Sequence, residues 1–295
     1  MLTQAQKEAL AEQLKGGVQA YYQVTREERE AYPARVEELV VPTTQGDARV
    51  YVLSDGSSAS DRPLVVNFHG GGFISGHNDR DILFCSRLVN KFGALVLDVD
   101  YKLAPAHPYP TAALECWDVV QWVWENRAAL GYDPEKVILT GHSSGGNLVA
   151  GLCMRLGQSG LFTPCCALID YAPLDLVTDP ARKKASICDM PAGQAQRYNA
   201  KYIEPEKAAE PYASPLYAPD ELLEKFPPTL VITAGEDRLC EEGEEFALKL
   251  ARAGVSVTLR RFTESIHGFV LNRMCEWKQG TELILSFIGW HLQGL

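Results

Sequence analysis

A chain of 295 residues can bury roughly 75% of its unfolded surface in one large domain, or form two modest ones, so a disulfide-dependent miniprotein is excluded. Hydrophobic residues make up 46% and charged residues 22%, with 24 glycines and 17 prolines, which excludes wholesale disorder and collagen-like or low-complexity chains. Lys and Arg number 28 against 38 Asp and Glu, giving a net charge of −10 with no cluster of basic residues that breaks the acidic field, and this disfavours nucleic acid and polyanionic substrates.

The N-terminal MLTQAQKEALAEQLKGG has helical spacing over 3–15, a second helix is predicted over 17–30, and neither segment carries the apolar core of a signal peptide. VEELVV at 36–41 and ARVYVL at 48–53 read as a β-hairpin broken by Pro42, Gly46 and Asp47. LVVNF at 64–68, ALVLDV at 94–99 and KVILT at 136–140 are compact apolar runs, each followed by a helix-compatible stretch. Parallel strands buried on both faces have this appearance. CALIDYA at 166–172, TLVITA at 229–234 and VSVTLRRF at 255–262 complete eight predicted strands, with helices predicted over 79–92, 111–130, 145–158, 241–254 and 277–292. Gly131 and Gly254 are placed as helix stops. The order implies an α/β sheet. Residues 173–218, with six prolines, are too long for a normal connection and read as an inserted cap or lid.

Eight cysteines are scattered without a CxxC pair or zinc-site spacing, and no stretch approaches the ~18 apolar residues of a membrane span. The expectation is a cytoplasmic protein with reduced thiols, no metal and no cofactor.

GHSSGGN at 141–147 holds Gly141-x-Ser143-x-Gly145 between a predicted strand and a predicted helix, the context of a nucleophile elbow. The bare pattern arises by chance about 0.1 times in a chain of this length at average usage, and the strand-turn-helix context makes it rarer. A phosphate loop would need a Lys that does not follow. HGGGF at 69–73 follows another strand at the same sheet edge, and consecutive glycines let backbone N–H groups face an oxyanion. Of six histidines, His267 follows the last strand and fits the order Ser, Asp, His. For the acid, Asp237 lies just after TLVITA, with Asp175 after the preceding strand as its rival. Trp117, Trp122 and Trp124 with Val119, Val120 and Val123 read as a helix packed on the sheet.

HGGGF, YKLAPAHPYPTAALE, GHSSGGN, PYASPLYA, FPPTLVITAGEDRLCEEGEEFA and IHGF, in this order, resemble the hormone-sensitive-lipase-like branch of the α/β-hydrolases. The resemblance implies an α/β-hydrolase fold, a mostly parallel eight-stranded sheet flanked by helices with a helical cap. It divides the chain into cap helices at 1–32, a core at 33–172 and 219–295, and a cap insertion at 173–218. It implies a serine carboxylesterase acting on small esters, with Ser143, Asp237 and His267 as triad and Gly71, Gly72 and Ser144 as oxyanion donors. No nucleic acid or membrane partner is expected, and a homodimer is left open. Amide or peptide hydrolysis on the same triad is an alternative, as is a ligand receptor of the same fold, against which the presence of His267 argues. The chain departs from the family's usual residues at His142, Ser144, Lys102 and Ala106, and it has Arg238-Leu239 where Pro-Leu is common.

Overall fold

The computed structural model describes residues 2–14, 22–57 and 59–293. Eight strands form one sheet in the order β1-β2-β4-β3-β5-β6-β7-β8. They are β1 (Arg35–Val41), β2 (Ala48–Ser54), β3 (Leu64–Phe68), β4 (Leu95–Asp100), β5 (Val137–His142), β6 (Cys166–Asp170), β7 (Thr229–Ala234) and β8 (Val257–Phe262). β1 and β2 pair antiparallel as a hairpin, β2 is antiparallel to β4, and every pairing from β4 to β8 is parallel. The continuous apolar runs follow from burial, since β3, β5, β6 and β7 are buried at every residue. The edge strands β1 and β8 carry Glu37, Glu38, Arg260 and Arg261 on exposed positions, charges that keep a free edge from pairing with another chain.

The helices are α1 (Gln4–Leu14), α2 (Arg26–Ala31), α3 (Asp79–Phe92), α4 (Thr111–Glu125), α5 (Arg127–Leu130), α6 (Ser144–Ser159), α7 (Ala192–Tyr202), α8 (Cys240–Arg252), α9 (Phe269–Asn272) and α10 (Trp277–Gln293). One face of the sheet packs Val66, Leu97, Leu139 and Val231 against Val119 and Val120 of α4, Val149 and Leu152 of α6, and Phe246 and Leu250 of α8. The other face packs Val65, Val96, Ile138 and Leu230 against Phe84 and Leu88 of α3 and Ile284 and Ile288 of α10. Consecutive strand residues thus feed opposite cores, as the two-residue strand period requires.

Two predicted helices differ in extent. Over 17–30, residues 17–21 lie outside the described residues, and the described part is helical only from Arg26. Thr25 fixes that start, because its side chain accepts the Glu28 amide while the Glu28 carboxylate accepts the Thr25 amide. The helix over 111–130 breaks at Asn126, whose side-chain amide donates to the Trp122 carbonyl at 2.8 Å. Its backbone N–H donates to the same carbonyl at 2.9 Å, so Asn126 caps the helix from both its backbone and its side chain. The chain resumes as α5 and closes on Gly131 at φ 65.

Residues 173–218 leave the sheet at the carboxyl end of β6 and contain α7 plus single turns beginning at Pro180, Pro205 and Pro215. Proline suits these first positions because its missing N–H has no helical partner there. Two contacts tie this side of the sheet to α1: Lys7 Nζ pairs with Glu236 at 2.6 Å, and the Cys188 thiol donates to the Lys7 carbonyl. Among the described residues no helix is long and apolar enough to cross a membrane.

Candidate active site

β5 runs directly into Ser143, which sits at φ 53 and ψ −122 before α6 begins. A non-glycine residue held at positive φ costs of order 1–3 kcal/mol and persists only where its surroundings enforce it. The enforcement is close packing. A Cβ on Gly145 would lie 1.9 Å from the Phe68 carbonyl oxygen, and one on Gly141 would lie 2.2 Å from the Gly145 oxygen. The Ser143 amide donates to the Asp170 carbonyl at 2.8 Å, anchoring the turn to β6. Gly145→Ala is therefore expected to lose about 3 kcal/mol or more of stability, with poor soluble yield, because backbone has to move. Gly76→Ala, whose added carbon meets only Leu103 at 3.5 Å, is the control and should melt near wild type.

Ser143 Oγ lies 2.9 Å from His267 Nε2, and His267 Nδ1 lies 2.7 Å from Asp237 Oδ2. An ionised carboxylate only accepts, so Nδ1 carries the proton and Nε2 is left to accept from the serine hydroxyl. The Leu239 amide donates to Asp237 Oδ1 at 3.0 Å, which orients the carboxylate. Burial disfavours the imidazolium of His267, but the charge and hydrogen bond of Asp237, with Asp189 and Asp170 beyond, outweigh it and hold the pKa above 6.5. Asp175 is elsewhere. Its Oδ1 accepts the Val177 and Thr178 amides, each at 2.9 Å, which closes its own loop. Glu236, next to Asp237, pairs with Lys7.

The 69–73 loop abuts Ser143: a Cβ on Gly70 would lie 3.1 Å from the His142 oxygen and 3.3 Å from Ser143 Cβ. Gly71 turns back on itself, its carbonyl accepting the Ile74 and Ser75 amides. Among the described residues no acceptor is paired with the Gly71 or Gly72 amide, and Ser144 opens α6, where the first amides of a helix have no helical partner. Tyr101 secures this arrangement by donating to the His69 carbonyl at 2.9 Å, with Ser144 Oγ at 3.2 Å and the His69 ring stacked at 4.2 Å. Tyr198 of α7 covers Gly72, since a Cβ there would come within 2.4 Å of its ring. Phe73 and Tyr202 stack at 3.7 Å beside it.

Several supporting residues have no signature in the sequence. His142, read as part of the elbow and as a departure from the family's usual residue, bonds Asp170 at 2.7 Å. Tyr171, at φ 38, sets its ring edge-on to His267 at 5.1 Å. Arg238 reaches from the loop that carries Asp237 into the 180–190 segment: its Nε lies 2.8 Å from Asp189 Oδ2, Nη1 lies 2.8 Å from the Pro180 carbonyl, and Nη2 bonds the Met190 carbonyl. Burial and the neighbouring Asp237 charge push Asp189 up to about 6 against the pull of Arg238. The visible signals were that His142 and Arg238 both stand where the family commonly has other residues, proline in the case of Arg238.

A sequence model described as the alpha/beta hydrolase fold matches residues 65–271, well over half of the chain. The chain belongs to that family. This hydrolase falls in the hormone-sensitive-lipase-like branch that its motifs resemble. It is 32% identical to an arylesterase of Saccharolobus solfataricus over 210 residues, 70% of this chain and 68% of the relative. It is 30% identical to an esterase of Mycobacterium tuberculosis over 244 residues, 80% of this chain and 75% of the relative. Among solved structures, a hyperthermophilic esterase of Pyrobaculum calidifontis superposes with a TM-score of 0.82 at 30% identity, covering 97% of each chain. The superposition of this hydrolase on the Pyrobaculum esterase therefore takes in nearly the whole chain.

Proposed function

We infer that this α/β-hydrolase is a carboxylic ester hydrolase working through a covalent acyl-enzyme, with Ser143 as nucleophile, His267 as base and Asp237 as orienting acid. One observation carries the reading: an unbroken relay from Ser143 Oγ to His267 Nε2 at 2.9 Å and from Nδ1 to Asp237 at 2.7 Å, built on a strained turn. His267 takes the serine proton as Oγ attacks the ester carbonyl, and Asp237 stabilises the imidazolium so formed. The Gly71, Gly72 and Ser144 amides stabilise the oxyanion. His267 then protonates the departing alkoxide, leaving an acyl-serine. Water repeats the sequence with His267 again as base, releasing a carboxylate and restoring the serine hydroxyl.

In this reading residues 1–32 and 173–218 form a cap over a core of 33–172 and 219–295. Support comes from the Lys7 and Cys188 contacts and from Tyr198 lying on the glycine loop. Eight free cysteines suit the reducing cytoplasm. Phe73, Tyr109 and Tyr202 are buried and packed together beside the glycine loop, and taken as the closed end of the acyl site they favour small esters with short to medium acyl chains. A panel of p-nitrophenyl esters from acetate to palmitate tests this. kcat/KM is expected to peak at short or medium chains and to exceed that of the anilide of the same acid, since an amine leaves only when protonated. A steady rise to the longest chain, or a faster anilide, would contradict it.

A further inference from the structure

Three arginines far apart in the sequence meet away from the serine. Arg80 and Arg87 of α3 and Arg273, just after α9, line a cavity of about 10 Å³ whose other lining residues are Leu83, Phe84, Val270 and Leu271. That is the space open to the centre of a water-sized sphere in a cleft that is only partly enclosed, room for one small ion or water. Arg87 is 8% exposed, and its Nε and Nη2 are buried without an acceptor; Arg273 Nε is likewise buried and unpaired. Nε and Nη2 form one edge of the guanidinium fork, the edge that grips an anion with two parallel donors.

The counter-charge is incomplete. Arg273 pairs with Glu28, whose other oxygen accepts the Tyr22 hydroxyl at 2.8 Å. Arg80 is held by the neutral amide oxygens of Asn78 and Asn272. Arg87 meets only ring faces, Tyr32 at 5.1 Å and Trp277 at 5.5 Å. Among the described residues, then, these three guanidiniums face one bonded carboxylate. We propose that the cavity is a binding site for one small inorganic anion of the chloride class, held by Arg87 and Arg273. A water molecule fits the volume but not the chemistry. It would bring two hydrogens to a cavity whose remaining side chains are apolar or already cationic, while a halide accepts from every donor and needs none in return. Burial pulls the Arg87 pKa down, the sign of a cation lacking a compensating charge. The bound anion joins α3, the α9 turn that follows His267, and the segment bearing Tyr22 and Glu28, so it acts on stability rather than on the acyl-transfer steps.

Thermal unfolding of the full chain at constant ionic strength, with gluconate exchanged for chloride, tests the site, because gluconate is too large for the cavity. At a chloride concentration ten times the dissociation constant, Tm is expected to rise by about 2–4 °C. Arg87→Gln and Arg87→Met should melt at the same temperature in both salts. Should these variants fold poorly, bromide-soaked crystals of the wild type provide the second readout, with an anomalous peak expected between Arg87 and Arg273. Equal Tm values for the wild type in chloride and gluconate, or a cavity holding water without a bromide signal, would overturn the proposal.

Discussion

Ser143→Ala is expected to lower kcat by about 10⁴- to 10⁶-fold while leaving KM for a p-nitrophenyl ester and the melting temperature near wild type. The asymmetry between chemistry and stability follows from the turn. Alanine keeps the Cβ that the φ 53 backbone already accommodates, so the strain is unchanged, and only the hydroxyl that His267 Nε2 faces at 2.9 Å disappears. The residual rate would come from the remaining amides of the 69–73 loop and from substrate positioning. Steady-state kinetics together with a melting curve measures both halves, and a variant with near-wild-type turnover would remove Ser143 from the mechanism.

Asp237→Asn should cost about 10⁴-fold in kcat, since the amide no longer holds His267 in the tautomer that leaves Nε2 free. The variant should also move the pH profile. His267 acts as base only when neutral, so kcat/KM falls as pH drops through its pKa in the free enzyme. That pKa is held above 6.5 because the charge and hydrogen bond of Asp237, aided by Asp189 and Asp170, outweigh burial. Removing the Asp237 charge therefore shifts the acidic limb to lower pH. Asp175→Asn should be nearly silent, because the asparagine oxygen can still accept the Val177 and Thr178 amides that Asp175 binds. A kcat/KM profile from mildly acidic to mildly alkaline pH for the three proteins decides the matter. An unmoved limb in Asp237→Asn, or greater damage from Asp175→Asn, would reassign the acid.

The features legible in the sequence were those set by local physics. Strands buried on both faces need unbroken apolar runs, as in LVVNF and TLVITA, and a serine raised on a tight turn needs glycine where a Cβ on residue 145 would lie 1.9 Å from the Phe68 carbonyl oxygen. Both constraints act within a few residues, so they leave a local pattern. The choice between Asp237 and Asp175 was not local. Each follows a strand of the same sheet, and only the fold decides that one carboxylate meets His267 while the other closes a turn. Arg238 was visible as a departure from family usage, but its role depends on the path of the 180–190 segment above it. The arginine cluster was hidden for the same reason: no basic run marks it, because Arg87 and Arg273 come together only through the packing of α3 against α9. Helix ends such as Asn126 depend on one residue capping a carbonyl with its side chain as well as its backbone, a local event that periodicity does not register.

Labelling with a fluorophosphonate, followed by intact-mass and peptide mapping, tests the central claim most directly. The reagent phosphonylates a serine only where a base removes its proton and donors stabilise the oxyanion. The expected result is one adduct per chain, mapped to Ser143, absent from Ser143→Ala and strongly slowed in His267→Ala. An adduct on another residue, or labelling of Ser143→Ala at the wild-type rate, would contradict the account.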